Sequence, residues 1–217
     1  MLAFLEKTAT GDNVERRALF EGGVDVDFSI IPKESLVKDL EDPSPQDQDL
    51  IRRGVRVLHD KTGLLAKLPE PSKRPAPTRS PPTKGEFDQL VNDFLYHIVW
   101  AAKELRRGGL WTAKACCDSY MKWKLLGMIE WHTLASKGWD TDVWCNGRFL
   151  EECADPKIVK ALGKTFAHYD YEDVKKALFA TSSLFLEIAR ETAQKIGYDD
   201  SILRSQWIIK LATSHLG

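Results

Sequence analysis

Val24-Asp25-Val26-Asp27-Phe28-Ser29-Ile30 is the stretch whose residue types could do chemistry. On a strand, successive side chains alternate faces, so Asp25, Asp27 and Ser29 share one face, and Val24, Val26, Phe28 and Ile30 the other. Two carboxylates about 7 Å apart would then project from an otherwise core-packed strand. Asp is disfavoured in strands and like charges repel, so the pair needs a cation or a solvated face. A hard divalent ion such as Mg²⁺, held with substrate phosphate oxygens, would supply the first. A solvent-facing edge of a two-faced sheet would supply the second.

The elements around this stretch divide into two parts. Six of the ten prolines lie between Pro69 and Pro82. Each removes a backbone donor and fixes φ, so this stretch is expected to run extended. The reading divides the chain into a sheet-containing part at 1–67, a proline-rich linker at 68–84 and a helical bundle at 85–217. In the first part, 15–21 and 24–31 are expected to pair through a two-residue turn at Gly22-Gly23. Residues 33–40 read as a short helix and 54–60 as another strand. So few strands are marginal alone and need further strands or support from the second part.

In the second part, Phe87, Leu90, Val91, Phe94, Leu95, Ile98, Val99, Ala102 and Leu105 recur at the spacing of one helix face, stopped by Gly108-Gly109. From Leu110 to about Leu134 the chain is apolar around most of its circumference, as expected of a helix surrounded by neighbours. Asp155-Pro156 starts a short helix closed by Gly163. Asp170 caps a long one ended by Gly197, and Asp199-Asp200 starts a last helix running to about Thr213. The fold class expected is α+β, a partial mixed sheet of nucleotidyltransferase type followed by about five helices.

Composition excludes several classes. In 217 residues, 31 Lys+Arg against 32 Asp+Glu give a formal charge of -1, so nothing global favours nucleic acid or an anionic membrane. No apolar run approaches the roughly 20 residues of a spanning helix, and the start turns polar too soon for a secretory signal, so the chain reads as cytoplasmic. Cys116, Cys117, Cys145 and Cys153 form no Cys-x-x-Cys and read as core or interface thiols. His97 has no partner at metal spacing and reads as a structural or surface histidine. No Walker loop, Gly-x-Ser-x-Gly or His-Glu-x-x-His occurs.

Arg17-Ala-Leu-Phe-Glu-Gly-Gly-Val-Asp-Val-Asp-Phe-Ser-Ile-Ile-Pro32 resembles the third active-site strand of the aminoglycoside 6-adenylyltransferases, also called streptomycin adenylyltransferases. Val57-Leu-His-Asp-Lys-Thr-Gly-Leu-Leu65, Leu68-Pro-Glu-Pro71 and the run from Glu86-Phe-Asp to Trp100-Ala-Ala-Lys-Glu-Leu-Arg-Arg107 agree in order. Leu125-Leu-Gly-Met-Ile-Glu-Trp131 and Gly147-Arg-Phe-Leu150 extend the resemblance over nearly the whole chain. The resemblance implies transfer of AMP from ATP, with Mg²⁺, to a hydroxyl of a streptomycin-like aminoglycoside, an antibiotic-resistance activity. The family's Gly-Ser motif followed by Asp-x-Asp does not occur before Val24. The chain is therefore expected to represent the central and C-terminal part of such an enzyme, incomplete and inactive on its own.

Aligned through Phe20-Glu-Gly-Gly and Ile30-Ile-Pro32, Asp27 takes the place of the family's third carboxylate, to hold metal or accept the sugar hydroxyl's proton. Asp25 is the accompanying metal candidate. Lys103 matches a lysine able to approach the triphosphate, and Lys114 is a second candidate. A polycationic substrate calls for carboxylates and indole faces. Trp100, Asp118 and Glu130 are the main choices, with Asp140, Asp142, Trp111, Trp131 and Trp144 beside them; bundle packing is the alternative role for each tryptophan. The competing readings are a non-catalytic aminoglycoside-binding module and a fragment that self-associates through an exposed sheet edge.

Overall fold

The computed structural model describes residues 1–7, 13–68, 79–143, 145–199 and 206–216. The chain forms two compact units, Met1–Pro77 and Thr78–Gly217. The first holds β1 (Leu2–Lys7), β2 (Val14–Leu19) and β3 (Asp25–Ile30), then α1 (Lys33–Glu41), α2 (Pro45–Arg53) and a 3₁₀ turn at Leu64–Lys67. The second is helical: α3 (Lys84–Arg106), α4 (Leu110–Ala115), a π turn (Cys116–Tyr120), α5 (Met121–Lys137), α6 (Leu150–Cys153), α7 (Pro156–Leu162), α8 (Tyr171–Ile196) and α9 (Gln206–Leu216). The architecture is α+β.

The sheet is an antiparallel meander in the order β1-β2-β3, with Leu19 opposite Asp25 and Arg17 opposite both Asp27 and Phe4. The hairpin forms, but its loop is wider than two residues. Phe20 N–H donates to Val24 O (2.8 Å) and Gly23 N–H to Phe20 O (3.1 Å), with Gly22 and Gly23 at φ 88° and 80°. L-residues rarely adopt those values. β1 was not expected. Nor was α2, although Ser44 and Asp47 close a capping box over Pro45 at its first turn.

Two expectations for this unit are corrected. Residues 54–60 form no strand. Instead Asp60 accepts from the amides of Thr62, Gly63 and Leu65 (2.9, 2.9 and 2.8 Å), which bend the chain into the 3₁₀ turn. Those backbone bonds, with Leu65 foremost, hold the Asp60 carboxyl below the usual range. The apolar face of β3 is not core-packed either: Phe28 and Ile30 are exposed, and in the sheet only Ala18 on the central strand is buried. A three-stranded sheet by itself has too little apolar area to close a core.

The second unit has that area. α3 buries Phe87, Val91, Phe94, Leu95, Ile98, Ala101, Ala102 and Leu105, close to the face its periodicity predicts. Phe94 stacks on Phe185 of α8 with ring centroids 3.6 Å apart, and Met121, Leu125, Met128 and Ile129 of α5 complete the seam. Thr83 and Glu86 box the start of α3, Asp170 caps α8, and Gly197 ends it at φ 75°. Asp155 caps α7, with Pro156 at its first position.

The stretch from Leu110 is helical as expected, but not enclosed. Trp111 is 75% exposed and Trp123 56% exposed, so one side of the helix faces water. Most of the proline-rich stretch and residues 200–205 lie outside the described residues; Asp199, expected with Asp200 to start the last helix, is not helical, and α9 is described from Gln206. Truncating Phe94 to Ala should cost about 3–5 kcal/mol. Urea unfolding of the purified chain, followed by far-UV circular dichroism, checks this.

Candidate functional site

Within the sheet, alternation places Asp25, Asp27 and Ser29 on one face with Arg17 and Glu15 of β2 and Glu6 of β1. Arg17 Nε sits 2.6 Å from Glu6, 2.9 Å from Glu15 and 3.5 Å from Asp27. Ser29 donates to the other Glu15 oxygen at 3.1 Å. The Arg17 hydrogen bond holds the Glu15 carboxyl below its ordinary range, and Glu15 in turn raises the Arg17 guanidinium above its own. Three strands thus converge their negative charge on one guanidinium, which provides a compensating cation for Asp27 but not for Asp25. Asp27, at the longest of the three contacts and 48% exposed, is the least committed of the acids. Asp25 is exposed at the start of its strand. Among the described residues, no three His, Cys, Asp or Glu side chains are grouped so as to hold a metal ion.

In the helical unit the chemistry gathers around the π turn. Met121 N–H donates to Cys116 O, five residues back, rather than to the Cys117 carbonyl that an α-helix would use. Lys122 Nζ donates to Cys117 O at 2.8 Å and to Thr181 Oγ1 of α8 at 2.9 Å. Only 11% of the Lys122 side chain is exposed, and burial pushes its ammonium below the ordinary lysine range. The neighbouring thiols are shifted the other way: burial raises Cys117, and Cys116 is pushed up to about 12. Both are inert thiols at neutral pH.

Lys114 and Asp118, expected separately at the triphosphate and at the drug, are each other's partners. Lys114 Nζ bonds Asp118 Oδ2 and also donates to Ala167 O. The other oxygen, Oδ1, is buried without a hydrogen-bond partner among the described residues, with Lys122 Nζ at 4.0 Å. Leaving such an oxygen unsatisfied costs about 1–3 kcal/mol or more. Asp118 and Lys122 line a cavity of about 580 Å³ whose other walls are mainly Leu125, Leu126, Ile129, Leu150 and Leu162.

On the other side of Trp123 and Ser119 lies an aromatic groove, also about 580 Å³, bounded by His97, Trp100, Trp111 and Tyr120. Trp100 is half-buried there, while Trp111 is almost wholly in water. Asp93 anchors this end: it binds Lys124 Nζ at 2.7 Å, His97 Nδ1 at 2.9 Å and Tyr120 OH at 3.0 Å. Burial works to raise the Asp93 carboxyl, but the bonds from Lys124 and Tyr120 prevail and hold it below the usual range. Asp93 escaped the sequence reading, although its spacing of four from His97 on a helix marks a facing pair.

The remaining candidates are scattered. Lys103 is exposed on α3. Trp131 packs on Phe87, with ring centroids 6.3 Å apart, in the bundle role weighed for it. Asp140 is exposed and Asp142 half-buried, and Trp144 lies outside the described residues. Glu130 lines neither cavity. Burial raises its carboxyl to about 7, against a smaller pull downward from Arg79.

A carboxyl raised above its unfolded value contributes stability below about pH 4.5 that is lost as pH rises through about 7. Glu130→Gln should therefore flatten the decline in melting temperature between those two pH values. Calorimetric melts of both proteins across the window check this.

Against this geometry stand three likenesses. The family model described as "Streptomycin adenylyltransferase" matches residues 4–213. Over 180 residues the chain is 26% identical to "Aminoglycoside 6-adenylyltransferase" of Bacillus subtilis (strain 168), covering 83% of this chain and 60% of that protein. The chain thus spans about three-fifths of that relative's length. Its fold resembles the crystal structure of an aminoglycoside 6-adenyltransferase from Bacillus subtilis, with TM-score 0.56 and 20% identity over 99% of this chain and 78% of the other. With its sheet, its bundle and nearly every residue between them inside the family match, the chain belongs to the streptomycin adenylyltransferase family.

Proposed function

We propose that the chain serves in the O-adenylylation of a streptomycin-like aminoglycoside, AMP passing from ATP to a drug hydroxyl. The family match over residues 4–213 carries this reading, and the relative's name supplies the substrate class. The aromatic groove supports it. Trp100, Trp111, Tyr120 and Trp123 offer the indole and phenol faces on which sugar rings and cationic groups stack. In the reaction the hydroxyl oxygen attacks the α-phosphorus in line, the bond to the β-phosphate breaks, and pyrophosphate departs.

Asp27 is proposed as the acceptor of the hydroxyl proton, a role that suits a half-exposed carboxylate only loosely held by its arginine. Asp25 stands on the same face as an auxiliary acid. Lys103, exposed and in the last turn of α3, is proposed to approach the triphosphate. Glu130 is proposed as a weak contributor to cation binding, because burial leaves it only partly ionised at neutral pH. The resemblance implies Mg²⁺ with ATP. Among the described residues no three His, Cys, Asp or Glu side chains group to hold a metal ion; Asp27 and Asp25 would hold Mg²⁺ together with the phosphate oxygens of ATP, and no step is routed through it. ATP as donor agrees with a cytoplasmic setting. Among the described residues no helix is long and apolar enough to cross a membrane.

A second reading, self-association, is favoured by the sheet. Leu2, Phe4, Leu5, Phe28 and Ile30 are all exposed on it, and among the described residues β1 and β3 each leave an outer edge unpaired.

The test is titration calorimetry with streptomycin, followed by incubation with drug, MgCl₂ and ATP labelled at the α-phosphate. Saturable drug binding is the expected result; label transferred to the drug would show that the chain is active by itself, and Asp27→Asn should then lower the transfer rate at least a hundredfold with binding unchanged. Binding without transfer would reduce the chain to a drug-binding module. A drug-indifferent chain whose mass doubles in light scattering would replace the proposal with the self-association reading.

A further inference from the structure

The cavity behind Trp123 does not suit a polycation. Leu125, Leu126, Ile129, Leu150, Val159 and Leu162 make most of its walls, and a polycation laid against them would lose water from several charged groups, with only Glu151 and an Asp118 already paired with Lys114 as carboxylates to replace it. Its volume of about 580 Å³ is nevertheless in the range of a small-molecule site. Its polar end is unfinished in a particular way. Asp118 Oδ1 is buried without a hydrogen-bond partner among the described residues, its fellow oxygen being taken by Lys114. Across from it, Lys122 has three N–H groups. One goes to Cys117 O, one to Thr181 Oγ1, and the third meets only the Cys117 sulfur, at 3.8 Å. The two groups stand 4.0 Å apart, too far to bond each other directly.

A hydroxyl completes such a pair: it donates its one hydrogen to the carboxylate and accepts from the ammonium through a lone pair. An amine would have to compete with Lys122 for the same oxygen, and a carboxylate or phosphate would be repelled by Asp118. The Phe166 ring, 4.9 Å from Lys122 Nζ, keeps this end shielded and partly apolar. We propose that the cavity formed by α5, α6, α7 and the π turn is a second ligand site, taking neutral molecules with an apolar ring body and one hydroxyl, set between Asp118 and Lys122. The inference is independent of the adenylylation reading, because it draws on neither the groove nor the sheet.

Equilibrium dialysis of the whole chain against 2-naphthol, with naphthalene as the analogue lacking the hydroxyl, tests this directly. One 2-naphthol should bind per chain, at least tenfold more tightly than naphthalene. Asp118→Asn, which keeps the shape and removes the charge, should weaken 2-naphthol about tenfold and leave naphthalene unchanged. Leu126→Trp, which fills the cavity from α5, should abolish binding of both while leaving the circular dichroism spectrum as in the parent. Excess streptomycin should not displace the probe. Equal affinity for the two naphthalenes, 2-naphthol binding indifferent to both substitutions, or displacement by streptomycin would each overturn the assignment.

Discussion

A buried ammonium needs oxygen atoms, and in this protein the helix itself is rebuilt to provide one. The five-residue turn at Cys116–Tyr120 redirects the Met121 amide, and Lys122 folds back onto the carbonyl that an α-helix would have used. Thr181, itself bonded to Ala177 O within α8, supplies a second oxygen. This arrangement ties the centre of the bundle to its longest helix through polar atoms rather than through packing alone. Both cavities open beside it, and they are separated by Trp123 and Ser119, whose positions follow from the same wide turn.

The two units reach charge balance by opposite means. In the bundle, several largely buried charges are met by specific partners, Lys114 by Asp118 and Lys124 by Asp93. In the sheet, charges stay near water and three acids share one arginine. The first style holds geometry rigid, because moving one partner strands the other in a poor solvent. The second leaves exposed side chains able to exchange partners at little cost. Binding surfaces built on the bundle are therefore pre-formed, while the acids of the sheet are adaptable.

How much of this was legible in the sequence depended on how far each element carried its own signal. α3 and α8 announced themselves through a repeating apolar face with caps at their ends, since the core that buries them is the cause of the pattern. α2 was missed because its residues are almost all polar, and only the Ser44 to Asp47 spacing betrayed it. β1 was missed because Leu2-Ala3-Phe4-Leu5 does not alternate. The strand expected at 54–60 failed for the reverse reason: Val55 and Val57 alternate correctly, but alternation cannot supply a neighbouring strand. For the site, reading Lys114 and Asp118 separately overlooked that residues four apart on a helix face one another. The two cavities were invisible, because they depend on which side of the π turn each aromatic ring emerges.

Tyr198, just past the end of α8, donates its hydroxyl to Pro82 O at 2.6 Å, and its ring meets the edge of Phe87 in the first turn of α3. The path into the first helix of the bundle and the path out of its longest one therefore share a single corner, latched by a hydrogen bond and an aromatic contact. Losing that one side chain would therefore loosen the start of α3 and the end of α8 together.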